Sequence, residues 1–186
     1  MNIQKFQKIA YFGTLISVAL LFVYSLICGS PFYCLEAYAE FGYVKVDGFV
    51  YADTAAAFNT FNMNVLYFAL AGFVVFALFA IYNQANRKTF YLSNFIVPII
   101  FLVYTAIVTV ELLPKVFSFS SLYQACYNSI DFSKVLSFVA TRWLPSSSGL
   151  IIVGILPIVL LIAACVLQAV IAIIKFKKQR QLKEEN

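Results

Sequence analysis

The chain has 186 residues, of which 63% are hydrophobic and only 11% are charged. Charged residues make up roughly 25% of soluble domains, so this composition excludes a soluble globular protein and predicts an integral membrane protein. Histidine is absent, and with it the commonest general base and a usual zinc ligand. We therefore expect no catalytic residues, no cofactor and no metal site.

Four long apolar runs predict four transmembrane (TM) helices in one membrane domain. The first run follows a short basic head and is longer than the about 7–15 residues of a signal-peptide core, so we interpret it as a span. The predicted segments are TM1 9–28, outer loop 29–62, TM2 63–82, inner turn 83–90, TM3 91–113, outer loop 114–148, TM4 149–174 and cytoplasmic tail 175–186. The predicted fold is an all-α, four-helix transmembrane bundle.

Small and weakly polar residues fall at helical spacing on one face of several spans. This arrangement lets membrane helices approach each other closely. In TM1 the same face includes Tyr24 and Cys28. The predicted helix-packing positions are Gly13, Ser17, Gly72, Gly154, Cys165, Ala169 and Ala172.

The first outer loop is rich in aromatic residues. A short helix is expected over 31–41. After it, Asp47-Gly48 between β-branched and aromatic residues predicts a β-hairpin over 43–51, because a type I′ turn needs positive φ at both central positions. Further along, Asp53 and Thr54 can cap a helix, so we expect the second helix to begin above its span.

TM3 is expected to end at Pro114, since proline cannot continue a helix. In the loop that follows, Asp131 is a candidate N-cap for an amphipathic helix that carries Trp143 to headgroup depth. We expect the two outer loops to form one extracytoplasmic cap of short helices and the hairpin. The candidate interaction surface of this cap is Tyr43, Phe49, Tyr51, Phe41 and Trp143.

Three of the four cysteines fall in or beside the outer loops, where disulfides can persist. A bridge between Cys34 and Cys126 would tie the two loops together, and a bridge between Cys28 and Cys34 is the alternative. Cys165 lies inside TM4 and is expected to be a packing residue.

Basic residues indicate the orientation. Nine of the 13 lie in the N-terminal head, the inner turn and the C-terminal tail, so the positive-inside rule places both termini in the cytoplasm and both long loops outside the cell membrane. The basic tail can attract anionic lipid, although we prefer to interpret it as the ordinary basic flank of the last span. We expect no nucleic-acid partner.

Glu111 is the one acidic residue within an apolar run, which makes it a weak candidate for transport. It lies near the outer end of TM3, where it can instead pair with Lys115. Glu36 and Glu40 share a helix face and are the carboxylate pair that an enzyme would use, although we prefer to interpret them as the solvated face of a short surface helix.

The leading hypothesis is a non-enzymatic membrane protein that acts through contact with other membrane proteins, as an accessory or scaffold subunit of a larger complex. The alternatives are a small transporter or channel, and an enzyme acting on lipid or cell-envelope substrates at the outer face.

Overall fold

A computed structural model describes residues 3–40, 42–43, 51–85, 93–133 and 144–184. These residues form four helices, which are α1 (Ile3–Glu40), α2 (Tyr51–Ala85), α3 (Ser93–Ser129) and α4 (Ser147–Glu184). Each helix contains a segment long and apolar enough to cross a membrane. No strand occurs within the described ranges. The predicted all-helical chain with four candidate spans is confirmed.

The four helices pack in a ring. α1 lies between α2 and α4, and α3 also packs against α2 and α4, so that α1 and α3 are diagonal neighbours with little direct contact. We call the end of the bundle that holds Glu40 and Ser147 the upper end. The predicted orientation places the upper end outside the cell.

Buried residues recur along the helices at alternating spacings of four and three, the 3.5-residue repeat of helices that wind around one another. In α3 the repeat continues from the predicted span into the predicted outer loop. From the end of the predicted span onward, its members are Leu112, Val116, Phe119, Tyr123 and Cys126 in α3 and Ile130 directly after it. The corresponding positions of α4 are Leu150, Gly154, Pro157, Leu161, Ala164, Gln168 and Ile171. The helices therefore pack together well beyond the predicted spans.

The expectation that Pro114 ends the third helix is wrong, because α3 continues to Ser129. A proline in a helix interior costs about 3 kcal/mol. Burial of one large apolar side chain contributes roughly 1.5–3 kcal/mol, and Val116, Phe119 and Tyr123 are all buried after the proline. Packing beyond Pro114 therefore outweighs the hydrogen bond that the proline removes.

α1 ends in a Schellman motif at Gly42. The backbone N–H of Gly42 donates to the carbonyl of Ala39 (2.9 Å), and that of Tyr43 donates to the carbonyl of Tyr38 (3.0 Å). Gly42 has a φ of +82°, the left-handed conformation that glycine adopts at this position. Residues 31–40 of the short helix predicted over 31–41 are thus the last part of α1.

The hairpin predicted over 43–51 is not supported. Tyr43 belongs to the end of α1, and Tyr51 is the first residue of α2; residues 44–50 lie outside the described residues. Thr54 and Phe58 are buried one helical turn apart, which favours helix over strand at this point. The second helix does begin above its predicted span, as expected, although it starts before Asp53.

A cap built from two loops is not supported either, because the described parts of both outer segments mainly continue the helices. The ends of α1 and α3 do meet, since the backbone N–H of Asp131 donates to the carbonyl of Tyr43 (2.8 Å). Asp131 Oδ1 accepts hydrogen bonds from Ser133, as in an Asx turn. The amphipathic helix expected after Asp131 falls mainly on 134–143, outside the described residues.

Candidate functional site

A crevice opens between the upper halves of α1 and α2, around Gly29. On one side of this glycine is a cavity of about 250 Å³, and on the other a wider groove of about 600 Å³. Gly29, Tyr33 and Asn62 line both. The cavity is also lined by Cys28, Ala55, Ala56, Phe58 and Asn59, and the groove by Ser25, Leu26, Cys34 and Ala37. We call the two together the Gly29 crevice.

Asn62 of α2 lines both parts of this crevice. Its Nδ2 lies 3.4 Å from the position that a Cβ on Gly29 would occupy. Its Oδ1 is buried and has no hydrogen-bond partner among the described residues. A buried acceptor in this state costs about 1–3 kcal/mol. The oxygen is enclosed by the protein and is not exposed to the crevice.

A second opening, the α2–α3 groove, lies on the other side of α2. Its volume is about 430 Å³, and its lining consists of Ala56, Ala57, Thr60, Phe61, Asn64, Lys115, Ser118, Phe119 and Leu122. Phe61 and Phe119 in this lining stack with their ring centroids 4.4 Å apart. The Thr60 and Ser118 hydroxyls donate to carbonyls of their own helices. The upper half of α2 is thus flanked by open space on both sides.

Glu111 points away from the bundle interior. Its Oε2 lies 2.9 Å from Lys115 Nζ, and the two side chains are 50% and 42% exposed. The alternative expected from the i,i+4 spacing, an ion pair on the helix surface, is therefore present. The carboxylate is not part of the helix packing.

Gly154 marks the closest approach of three helices. A Cβ there would lie 2.7 Å from both the ring and the hydroxyl oxygen of Tyr24 on α1, and 2.8 Å from Val116 on α3. The Tyr24 side chain is 1% exposed, and it lies beside the thiol of Cys28 on the next turn of α1. Tyr24 therefore fills space that a side chain at position 154 would occupy.

Gly72 on α2 likewise leaves room for a tyrosine side chain, here one from α3. The Tyr104 hydroxyl of α3 occupies the position that a Cβ on Gly72 would need. This hydroxyl donates to the carbonyl of Phe68 on α2 (2.8 Å). A Cβ on Gly72 would also lie 2.8 Å from Val18 of α1. This is the clearest polar contact between α2 and α3.

The remaining predicted packing positions make looser contacts. A Cβ on Gly13 would lie 3.6 Å from Ala164 Cβ, an ordinary van der Waals distance. The buried Ser17 hydroxyl donates to the carbonyl of Pro157 on α4 (2.6 Å). The thiol of Cys165 lies beside the side chain of Thr105. Ala169 and Ala172 are half-buried.

Two side chains near the upper end of α3 donate hydrogen bonds to the backbone at the start of α4. The Tyr123 hydroxyl donates to the carbonyl of Pro145 (2.9 Å), and the Ser120 hydroxyl donates to that of Ser147 (2.8 Å). Ser146 caps α4, since its Oγ accepts from the backbone N–H of Gly149 (3.1 Å). These bonds fix the entry of α4 against α3.

All four cysteines are free thiols in the structure. Cys28 and Cys126 are buried, Cys165 is half-buried, and Cys34 is exposed on the Gly29 crevice. The bridge between Cys34 and Cys126, and its alternative with Cys28, stay predictions about the oxidised protein.

Of the candidate interaction surface, the structure places the side chain of Tyr43 alone, which is half-buried and packs against the core. Phe41, Phe49 and Trp143 lie outside the described residues. Tyr51 is described only by its place in the backbone of α2. The candidate interaction surface therefore stays a prediction.

Of the carboxylate pair, Glu40 is exposed at the last residue of α1, and the side chain of Glu36 lies outside the described part of the chain. Among the described residues, no group of three or more Cys, Asp or Glu side chains is placed to hold a metal ion.

Sequence reasoning missed Gly29 and Asn62. Gly29 directly follows the predicted TM1, and Asn62 directly precedes the predicted TM2, so a small residue and an amide stand at matching depths on neighbouring helices. This equal depth was the feature of the sequence that could have indicated a crevice between the two helices. It identifies a site only once the rotation of each helix is known.

No protein-family model, no curated protein and no solved structure matches this chain.

Proposed function

We propose that the chain is a non-enzymatic membrane protein that acts through contact with another membrane protein, as an accessory or scaffold subunit. The observation that carries the proposal is the α2–α3 groove. Its lining includes small residues that allow a partner helix to approach closely, and an amide at Asn64 that can bond across the interface. The partner would therefore be a transmembrane helix seated between α2 and α3.

The packed interior of the bundle also supports contact over transport. Its buried hydroxyls at Thr14, Ser25 and Thr105 donate to carbonyls of their own helices, and the acid Glu111 lies on the surface. The positive-inside pattern supports termini in the cytoplasm and the upper end outside the cell membrane. The basic residues near the end of α4 support contact with anionic lipid.

Copurification from native membranes in mild detergent tests this proposal. Ala57→Leu and Ser118→Leu would fill the α2–α3 groove, and the control Val74→Leu changes a side chain that is 63% exposed elsewhere on α2. We expect a partner at fixed stoichiometry that is lost with the two groove variants and kept with the control. A chain that purifies alone as a monomer contradicts the proposal.

A small transporter is the second candidate, favoured by one observation. Gln168 is 3% exposed, and its Nε2 has no hydrogen-bond partner among the described residues. A polar group of this kind inside a membrane bundle is a functional candidate. Substrate flux into proteoliposomes that falls with Gln168→Leu would support transport, whereas the absence of flux supports the contact proposal.

A further inference from the structure

We propose that the lower end of the bundle binds an anionic phospholipid through basic side chains of both α1 and α4. The lower end is the end opposite Glu40 and Ser147. The proposal extends the lipid contact proposed above for α4 to a site made by two helices. It does not depend on a partner at the α2–α3 groove, which lies in the upper half of the bundle.

The first argument is the distribution of charge. Five basic side chains lie near the lower end, where α1 begins and α4 ends; they are Lys5, Lys8, Lys175, Lys177 and Arg180. We call these five the basic collar. The described acidic side chains all lie in the upper half of the bundle, at Glu40, Glu111 and Asp131. After Arg180 the chain adds one lysine and two glutamates, so the lower end stays positive and attracts an anion.

The second argument is the depth of the collar on the two helices. α1 and α4 run in opposite directions, and they approach each other where a Cβ on Gly13 would lie 3.6 Å from Ala164 Cβ. At about 1.5 Å per residue, Lys5 lies about 12 Å below this contact on α1, and Lys175 lies about 17 Å below it on α4. The headgroup region on each side of a bilayer is roughly 5–8 Å thick. Lysines from two neighbouring helices therefore reach one layer of lipid phosphates.

The third argument is the apolar surface next to the collar. Ile9 and Phe12 are exposed on α1 directly above Lys8, and Ile173 is exposed on α4 above Lys177. Exposed apolar side chains at this position contact acyl chains, while the lysine ammonium groups extend toward the headgroups. The two helices therefore offer contacts to both the chains and the head of one lipid, which favours a lipid over a soluble anion.

The chemistry of the collar selects the head. Ammonium and guanidinium groups bind phosphate through charge-assisted hydrogen bonds. Basic residues beside a membrane are attracted to anionic headgroups, which are concentrated in the cytoplasmic leaflet. The predicted orientation places the lower end in that leaflet. The occupant is therefore a phospholipid with a net negative head.

Photo-crosslinking of the purified chain in phosphatidylcholine nanodiscs tests this assignment. The probes are a photoactivatable phosphatidylglycerol and a phosphatidylcholine with the same photoactivatable chains, whose head carries no net charge. Mass spectrometry locates the labelled peptides. We expect phosphatidylglycerol to label the lower segments of α1 and α4 at least fivefold more than phosphatidylcholine does, about the factor that one basic residue supplies at an anionic surface. The excess should shrink as salt is raised, because salt screens exposed charges.

Two double variants and one control complete the test. Lys5→Gln with Lys8→Gln neutralises the collar on α1, and Lys177→Gln with Arg180→Gln neutralises it on α4. Each double variant should reduce phosphatidylglycerol labelling at least fivefold. All four side chains are exposed, so thermal unfolding should show both variants folded. The control Lys115→Gln removes a cation from the upper half and should leave labelling of the lower segments unchanged.

Equal labelling of the lower segments by the two probes would overturn the proposal. So would phosphatidylglycerol labelling that stays undiminished in either double variant, because the site would then belong to one helix at most. An equal loss of labelling with Lys115→Gln would also overturn it, since the total charge of the chain would then attract the lipid.

Discussion

Tyr24 of α1 packs against the bare backbone of Gly154 on α4, where a Cβ would lie 2.7 Å from the ring. Val116 of α3 closes the same space from the third side at 2.8 Å. Three helices therefore meet at one glycine, and their spacing depends on the absence of a side chain there.

Gly154→Ala should destabilise the bundle by about 1–3 kcal/mol, the usual cost of overpacking a close contact. The matched control is Gly13→Ala, whose Cβ would meet Ala164 at an ordinary 3.6 Å. Because alanine also has the higher helix propensity, the control should be neutral or stabilising. Thermal unfolding in detergent micelles measures both, and equal effects of the two substitutions would contradict the assigned contact.

Gly72→Ala should weaken the contact between α2 and α3, because its Cβ displaces the Tyr104 hydroxyl from the carbonyl of Phe68. Tyr104→Phe alone should cost about 0.5–1.5 kcal/mol, the net contribution of one hydrogen bond. Gly72→Ala should cost less in the Tyr104→Phe background than in the parent, since the displaced bond is already missing. A double-mutant cycle of unfolding free energies measures this coupling, and strict additivity would show that the two positions are independent.

Cys34 should react with a membrane-impermeant maleimide added to intact cells, because it is the exposed cysteine among the four and lies near the upper end. Cys34→Ser should abolish the labelling. Reaction only after permeabilisation would reverse the predicted orientation.

The same maleimide tests whether the predicted disulfide between Cys34 and Cys126 forms. If Cys34 and Cys126 are bridged in the cell, Cys34 should react only after reduction, and Cys126→Ser should make it reactive without reduction. Equal labelling before and after reduction would show that the thiol is free in the membrane, as it is in the structure.

Glu111→Gln should change the unfolding free energy by less than about 1 kcal/mol, because the ion pair with Lys115 is exposed and such pairs contribute little. Substrate flux, if the protein carries any, should also be unchanged. A large loss of flux with intact folding would place the carboxylate in a transport pathway after all.

The number and type of helices followed from the sequence, whereas their lengths did not. The prediction stopped TM3 at Pro114 from a local rule about proline, and it read Asp47-Gly48 as a hairpin from a local rule about turns. The 3.5-residue repeat that carries α3 past Pro114 to Ser129 was also present in the sequence. The repeat is difficult to recognise from the sequence because its members include tyrosine and cysteine as well as leucine and valine.

For the candidate sites as well, one part could be predicted from the sequence and another part could not. Gly72 and Gly154 could be selected from the sequence because small residues at helical spacing mark close helix contacts. Their opposing side chains, Tyr104 and Tyr24, could not be assigned, and neither could the crevice between Gly29 and Asn62.

The sequence by itself determined that this chain has four candidate membrane-spanning helices with small residues at their contacts, because hydropathy and helical spacing are properties of each segment alone. Only the tertiary structure decided that Tyr24 fills the space beside Gly154 and that the Asn62 side chain lies beside Gly29. Those pairings depend on the rotation and vertical offset of each helix, and these are set by all four helices packing together.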